Sequence, residues 1–147
     1  MAGYRLPATG YHGPRSMSVG VLLMTHEAMG LALVAAARHV LGRLPLPLQV
    51  QEVAPNADPE QMLRAAAANA RELDCGEGVL VLSDLYGATP CNIAQRLPDL
   101  GVRMHCVSGL NLPMLLRVLN YPEQSLDELA QTAASGGRGG IVVDTPQ

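Results

Sequence analysis

Ser18-Val19-Gly20-Val21-Leu22-Leu23-Met24-Thr25-His26-Glu27 is an apolar run of strand length that stops at a polar tripeptide. A near-continuous hydrophobic run reads as a parallel strand covered on both faces. Open α/β sheets bind their ligands beyond the carboxyl ends of such strands. His26 stands at that end, so the rest of the chain is read for what meets it there.

A helix is predicted over residues 28–44, with Leu33, Ala37, Val40, Leu41 and Leu44 on one face and Arg38, His39 and Arg43 elsewhere. Pro45 and Pro47 end it. Residues 48–54 form a short second strand. Asp58-Pro59-Glu60-Gln61 then opens a helix that buries Met62, Leu63, Ala66, Ala67, Ala70 and Leu73. A third strand, Val79-Leu80-Val81-Leu82, ends in the polar cluster Ser83-Asp84-Leu85-Tyr86-Gly87-Ala88-Thr89-Pro90. Thr89 is expected as the N-cap of the next helix with Pro90 at its first position, and that helix runs to about Leu97.

Residues 102–107 give a fourth strand, followed by Ser108-Gly109-Leu110-Asn111-Leu112-Pro113 and a short helix over residues 114–119. Ser125-Leu126-Asp127-Glu128 is a capping box for a last helix, with Leu126, Leu129, Ala130 and Ala133 inward. Gly136-Gly137-Arg138-Gly139-Gly140 reads as a flexible joint, and Ile141-Val142-Val143 as a short final strand. Residues 1–16 are expected to be a flexible leader and residues 17–147 the domain, with Met17 able to start the folded unit.

This alternation of strand and helix predicts an α/β fold: a doubly wound, mostly parallel, four-stranded flavodoxin-like sheet flanked by helices.

Composition narrows the chemistry. With 48% hydrophobic and 16% charged residues the chain is expected to be compact. All ten basic residues are Arg; without Lys, a Walker-type phosphate loop, a Schiff base and a lysine base are excluded. A formal charge of −3 gives no support for a nucleic-acid partner. No apolar segment is long enough to span a membrane. Cys75, Cys91 and Cys106, an odd number without close pairing, suit reduced thiols in the cytoplasm.

In a flavodoxin-like strand order the first and third strands are neighbours, which would bring His26 and Asp84 together. A carboxylate that accepts the Nδ1 proton leaves Nε2 as the free nucleophile. The helix beginning at Thr89 would add an anion site. Together these point to phosphoryl transfer through phosphohistidine.

Three segments, each at a strand end, then carry a specific resemblance: Thr25-His26, Asp84-Leu85-Tyr86-Gly87-Ala88-Thr89-Pro90-Cys91-Asn92, and Gly109-Leu110-Asn111-Leu112-Pro113-Met114. The chain resembles, from Ser18 to about Val143, the IIA component of the mannose family of the bacterial phosphoenolpyruvate-dependent sugar phosphotransferase system (PTS). The resemblance implies that His26 accepts a phosphoryl group from the phosphohistidine of HPr and passes it to a IIB component or a regulatory protein. Asp84 would orient His26, Thr89 with Thr25, Gly87 and Ala88 would bind the phosphoryl group, and Leu85, Tyr86, Asn111 and Pro113 would wall the pocket. It further implies a homodimer in which the short fifth strand at the C-terminus crosses to complete the partner's sheet; no cofactor and no metal are expected.

Sugar-transporting members tend to carry Thr where this chain has Leu85, Trp at Tyr86, Gly-Ser at Ala88-Thr89, and often Gly at Glu27. These departures leave transport and a regulatory role both open. The IIA-like domain of the dihydroxyacetone kinase system shares the fold, but the Gly87–Asn92 segment favours the mannose type. From another class, a non-catalytic module could bind a phosphorylated ligand in the same crevice. His26-Glu27-Ala28-Met29-Gly30 lacks the second histidine of a zinc-protease motif, and His105, Cys106 and Cys91 lack metal-ligand spacing.

Overall fold

The computed structural model describes Tyr4–Arg5 and residues 18–146. Its elements in chain order are β1 (Tyr4–Arg5), β2 (Gly20–His26), α1 (Met29–Leu41), β3 (Leu48–Val53), α2 (Pro59–Leu73), β4 (Val79–Ser83), α3 (Thr89–Ala94), β5 (Met104–Ser108), α4 (Leu112–Leu119) and α5 (Leu126–Gly139), with a 3-10 turn at Leu97–Leu100. The sheet order is β1-β3-β2-β4-β5, in which β2 through β5 are parallel and β1 is antiparallel. The expected parallel, doubly wound sheet is present.

Alternation along the strands divides the core in two. Val21 and Leu23 of β2 face one side with Val34 and Ala37 of α1, Leu115 of α4 and Leu129 of α5. Leu22 and Met24 face the other with Met62 and Ala66 of α2 and Ile93 of α3. With both faces covered, β3 and β4 are buried along their whole length, as a parallel sheet between helix layers requires. The buried side of α2 is the predicted set of six residues. Its start is fixed by the Asp58 side chain, which accepts the Glu60 N–H, and by Pro59; α5 opens with the full capping box of Ser125 and Glu128. Among the described residues, no helix is long and apolar enough to cross a membrane.

Three expectations are corrected. The first helix stops at Leu41, where Gly42 takes a left-handed φ of 76°, and Val40 is 59% exposed. Its buried stripe runs instead through Gly30, Val34 and Ala37. The glycine run is not a joint: Gly136 and Gly137 are buried within α5. A Cβ on Gly136 would lie 2.6 Å from the Arg117 Cβ, so bare backbone lets α5 pack closely on α4. The helix therefore continues through a sequence of poor intrinsic propensity.

Ile141-Val142-Val143 is the third correction: these residues are exposed and irregular. A strand exists only with a ladder partner, and this segment has none in a single copy. The fifth strand lies at the opposite edge, where Tyr4 and Arg5 pair with Val50 and Gln49. Those two residues of the expected leader thus belong to the sheet. Its other residues, and Met17, lie outside the described residues.

Candidate functional site

β2 and β4 run side by side in parallel register, Met24 opposite Ser83, so both chains leave the sheet at the same edge. There the His26 backbone N–H donates to Asp84 Oδ2 at 2.8 Å, and His26 Nδ1 lies 2.8 Å from the same oxygen. The Asp84 side chain is 3% exposed and the His26 side chain 47%. A carboxylate oxygen accepts, so in the neutral ring Nδ1 carries the proton and Nε2 holds the free lone pair. The second oxygen, Asp84 Oδ1, is buried without a hydrogen-bond partner. A shielded negative charge thus sits behind a half-exposed imidazole.

The turn between β2 and α1 fixes the histidine from the other side. Ala28 takes φ 72°, a left-handed conformation that a side chain makes costly. It caps α1 with no side-chain bond of its own. The Thr25 hydroxyl accepts the Gly30 N–H at 2.9 Å and donates to the His26 carbonyl at 2.8 Å. Thr25 is fully buried, so it lies beneath the histidine and away from the solvent side, where a phosphoryl group would approach. Sequence reasoning missed Glu52, buried at the end of β3, whose Oε2 accepts the Leu31 N–H at 3.0 Å. The signal was available: Glu52 is the one charged residue within Leu48–Val53.

The loop from Asp84 to Thr89 carries the remaining expected contacts. Gly87 has φ 84°, and its carbonyl accepts from Asn92 Nδ2 at 3.1 Å. Ala88, not Thr89, is the N-cap of α3: its backbone is extended, with no side-chain cap bond, and Thr89 and Pro90 are the first two helical residues. A proline at the second position suits a helix start equally well, because its missing N–H falls among the unpaired ones. Thr89 is exposed with its hydroxyl unused by the cap. Leu85 and Tyr86 are 59% and 77% exposed and form an apolar rim.

Gly109 and Leu110 both donate their N–H groups to the Ser83 carbonyl at 3.0 Å, which draws the third loop against the second. Asn111 is occupied at both ends: Oδ1 accepts the Met114 N–H at 2.9 Å, and Nδ2 donates to the Gly137 carbonyl at 3.1 Å. It caps α4 and ties the loop to α5, with half-buried Pro113 beside it. The structure therefore joins His26 to Asp84, arranges Leu85 through Thr89 and Asn111 with Pro113 on neighbouring loops, and sets Thr25 underneath.

Behind the loops, Cys91 Sγ lies 3.4 Å from Ser108 Oγ, which in turn lies 3.2 Å from Ser83 Oγ. Burial pushes the Cys91 thiol up, but hydrogen bonds from Ser108, the Gly87 backbone and Ser83 bring it below its ordinary value. Burial drives the Cys106 thiol up to about 11. His105 turns away to pair with Asp127. Among the described residues, no group of three His, Cys, Asp or Glu side chains could hold a metal ion.

The family model described as "PTS system fructose IIA component" matches residues 20–134. The mannose-specific EIIAB component of the PTS of Escherichia coli is 29% identical over 127 residues, covering 85% of this chain and 39% of that protein. The chain thus spans about two-fifths of the length of that relative. Among solved structures, the mannose/sorbose specific IIA subunit of the phosphotransferase system from Enterococcus faecalis superposes with a TM-score of 0.78 at 28% identity, over 89% of this chain and 98% of that one. A sigma-54 interaction domain protein from Enterococcus faecalis gives 0.70 at 15% identity, over 84% and 93% of the two chains, a likeness of fold alone.

Proposed function

The chain belongs to the PTS IIA family described by the fructose IIA component, and from that membership we propose that His26 is the phosphorylated residue of a mannose-type phosphocarrier. The donor is the phosphohistidine of HPr, and the acceptor is a IIB component or a regulatory protein. The observation that carries this reading is the hold of one buried Asp84 oxygen on both the His26 backbone N–H and Nδ1.

In the forward step the Nε2 lone pair forms a bond to phosphorus while the donor's N–P bond breaks and its electron pair returns to the donor imidazole. The ring gains positive character as the new bond forms, and the Asp84 carboxylate offsets it without taking the proton. The neutral ring needs no general base, because Nε2 is the nitrogen without a proton. Transfer to the acceptor is the reverse exchange with a new nucleophile. Thr89, with the backbone at Gly87 and Ala88, meets the phosphoryl oxygens, and the exposed rim of Leu85 and Tyr86 meets the protein partner. Thr25, buried beneath the histidine, is proposed to support the site from below and not to contact the phosphoryl group.

The protein works in the cytoplasm, where its donor is found, and as a homodimer. Exposed Ile141, Val142 and Val143 and the outer edge of β5, which pairs with no further strand among the described residues, support an exchange of C-terminal segments between two copies.

The test is intact mass after incubation with phosphoenolpyruvate, enzyme I and HPr, with His26→Ala alongside. One phosphate is expected on the wild type only, lost after mild acid. No added mass with active donor proteins would overturn the reading and leave a module that binds a phosphorylated ligand without covalent transfer.

A further inference from the structure

We propose that Glu52 is a positioning residue for His26, acting through Thr25 and the first turn of α1. A helix is normally capped by a side-chain oxygen on its own N-cap residue. The N-cap of α1 is Ala28, which has no such oxygen and stands in a left-handed conformation. Two side chains from the sheet do the capping instead. Thr25 Oγ1 takes the Gly30 N–H at 2.9 Å, and Glu52 Oε2 takes the Leu31 N–H at 3.0 Å. Thr25 and Glu52 are register partners across β2 and β3.

The arrangement is costly for a cap alone. Glu52 is 4% exposed, and a buried carboxylate is unfavourable unless its partners compensate. A Ser at an extended N-cap would cap a helix without burying a charge. What the remote pair adds is a connection: the Thr25 hydroxyl that accepts from Gly30 also donates to the His26 carbonyl at 2.8 Å. The His26 peptide is thereby held on its carbonyl side through α1 and β3, and on its N–H side by Asp84. The ring orientation at Nδ1 depends on both.

The clasp also gives the site a side. The Gly30 and Leu31 N–H groups are consumed within the protein, so neither can receive a phosphoryl oxygen. This agrees with placing the ligands for that group on the Gly87–Thr89 side of the crevice. This inference rests on His26 being the phosphorylated residue, but its first readout does not.

That readout is the ¹⁵N–¹H spectrum of the His26 ring in the free protein, which reports whether Nδ1 carries the proton. It is paired with single-turnover phosphorylation by phospho-HPr, resolved into maximal rate and half-saturating donor concentration. Glu52→Leu keeps the bulk and removes the acceptor. It should redistribute the His26 ring proton and lower the maximal rate about tenfold or more, with half-saturation within about twofold of wild type. Glu52→Gln retains an acceptor oxygen and should restore both. A folded Glu52→Leu protein with wild-type ring signals and rate would overturn the proposal.

Should Glu52→Leu fail to fold, Thr25→Val breaks the same connection at its centre. An altered ring there supports the clasp, and a wild-type ring and rate refute it. If wild type takes no phosphate while the variants still shift the ring proton, the function proposed above fails and the positioning role stands.

Discussion

Asp84 Oδ2 lies 2.8 Å from both the backbone nitrogen and the Nδ1 of His26, so one atom sets both where the histidine backbone sits and how its ring is turned. Moving that oxygen breaks both contacts at once. The carboxylate is shielded while the ring remains open to solvent, the arrangement a nucleophile needs if its charge partner is to act through a low dielectric.

Asp84→Asn keeps the shape of the side chain and removes its charge. It should lower the phosphorylation rate of His26 by about a hundredfold or more, since the partner that compensates the charged ring is gone. Asp84→Ala should be slower still. Rapid-quench phosphorylation by phospho-HPr measures both, and an Asn variant within about threefold of wild type would remove the carboxylate from the mechanism.

Ala28 holds φ 72° at the turn that follows the histidine. Glycine meets no Cβ penalty there, so Ala28→Gly should stabilise the fold by about 1 kcal/mol. Urea unfolding followed by circular dichroism checks this. A lower midpoint would show that the alanine methyl contributes packing that outweighs the strain.

Gly30 answers a different need. A Cβ at this position would lie 2.5 Å from Val50 Cγ1 and 2.9 Å from Thr25 Oγ1. Gly30→Ala should destabilise the protein by about 1–3 kcal/mol through overpacking. It should also disturb the His26 ring, because Thr25 is one of the atoms displaced. Unchanged stability would mean that α1 can slide from β3 at little cost.

The three thiols should separate sharply. Cys75 is exposed, whereas Cys91 is buried and Cys106 is partly buried. With the Cys106 thiol pushed up to about 11 by burial, only about one molecule in a thousand carries its thiolate at pH 8. Iodoacetamide at pH 8 should label Cys75 alone in the native protein, and all three in urea, as read by peptide mass. Cys91 labelled as fast as Cys75 would mean that the start of α3 opens readily.

Much of the fold was legible because the relevant signals are local. The apolar runs of β2 and β4, the Asp58-Pro59 start of α2 and the Ser125–Glu128 box each depend on neighbours within a few residues. The errors occurred where a contact distant in sequence decides. Gly136 and Gly137 continue α5 because bare backbone meets Arg117 and Met114 of α4. Val40 lies off the buried stripe because Gly30 sets how α1 seats on β3. Tyr4–Arg5 became a strand because the edge of β3 offered a ladder.

The candidate site divides in the same way. Residue types at strand ends, read with a resemblance to a family, singled out His26 and Asp84, because a histidine and a carboxylate at the ends of adjacent strands can meet only at the sheet edge. The order of the strands, which makes β2 and β4 neighbours, was an assumption until the structure supplied it. Hydrogen bonds to the first turn of α1 then gave Thr25 a place under the histidine and brought Glu52 into the site, and the extended backbone at Ala88 made it the cap of α3. Sequence alone determined the strands, the helices and the chemical character of their ends, since periodicity and capping are written in adjacent residues. Only tertiary structure decided which ends meet and which polar atoms are already spent, because those depend on partners as many as 58 residues apart.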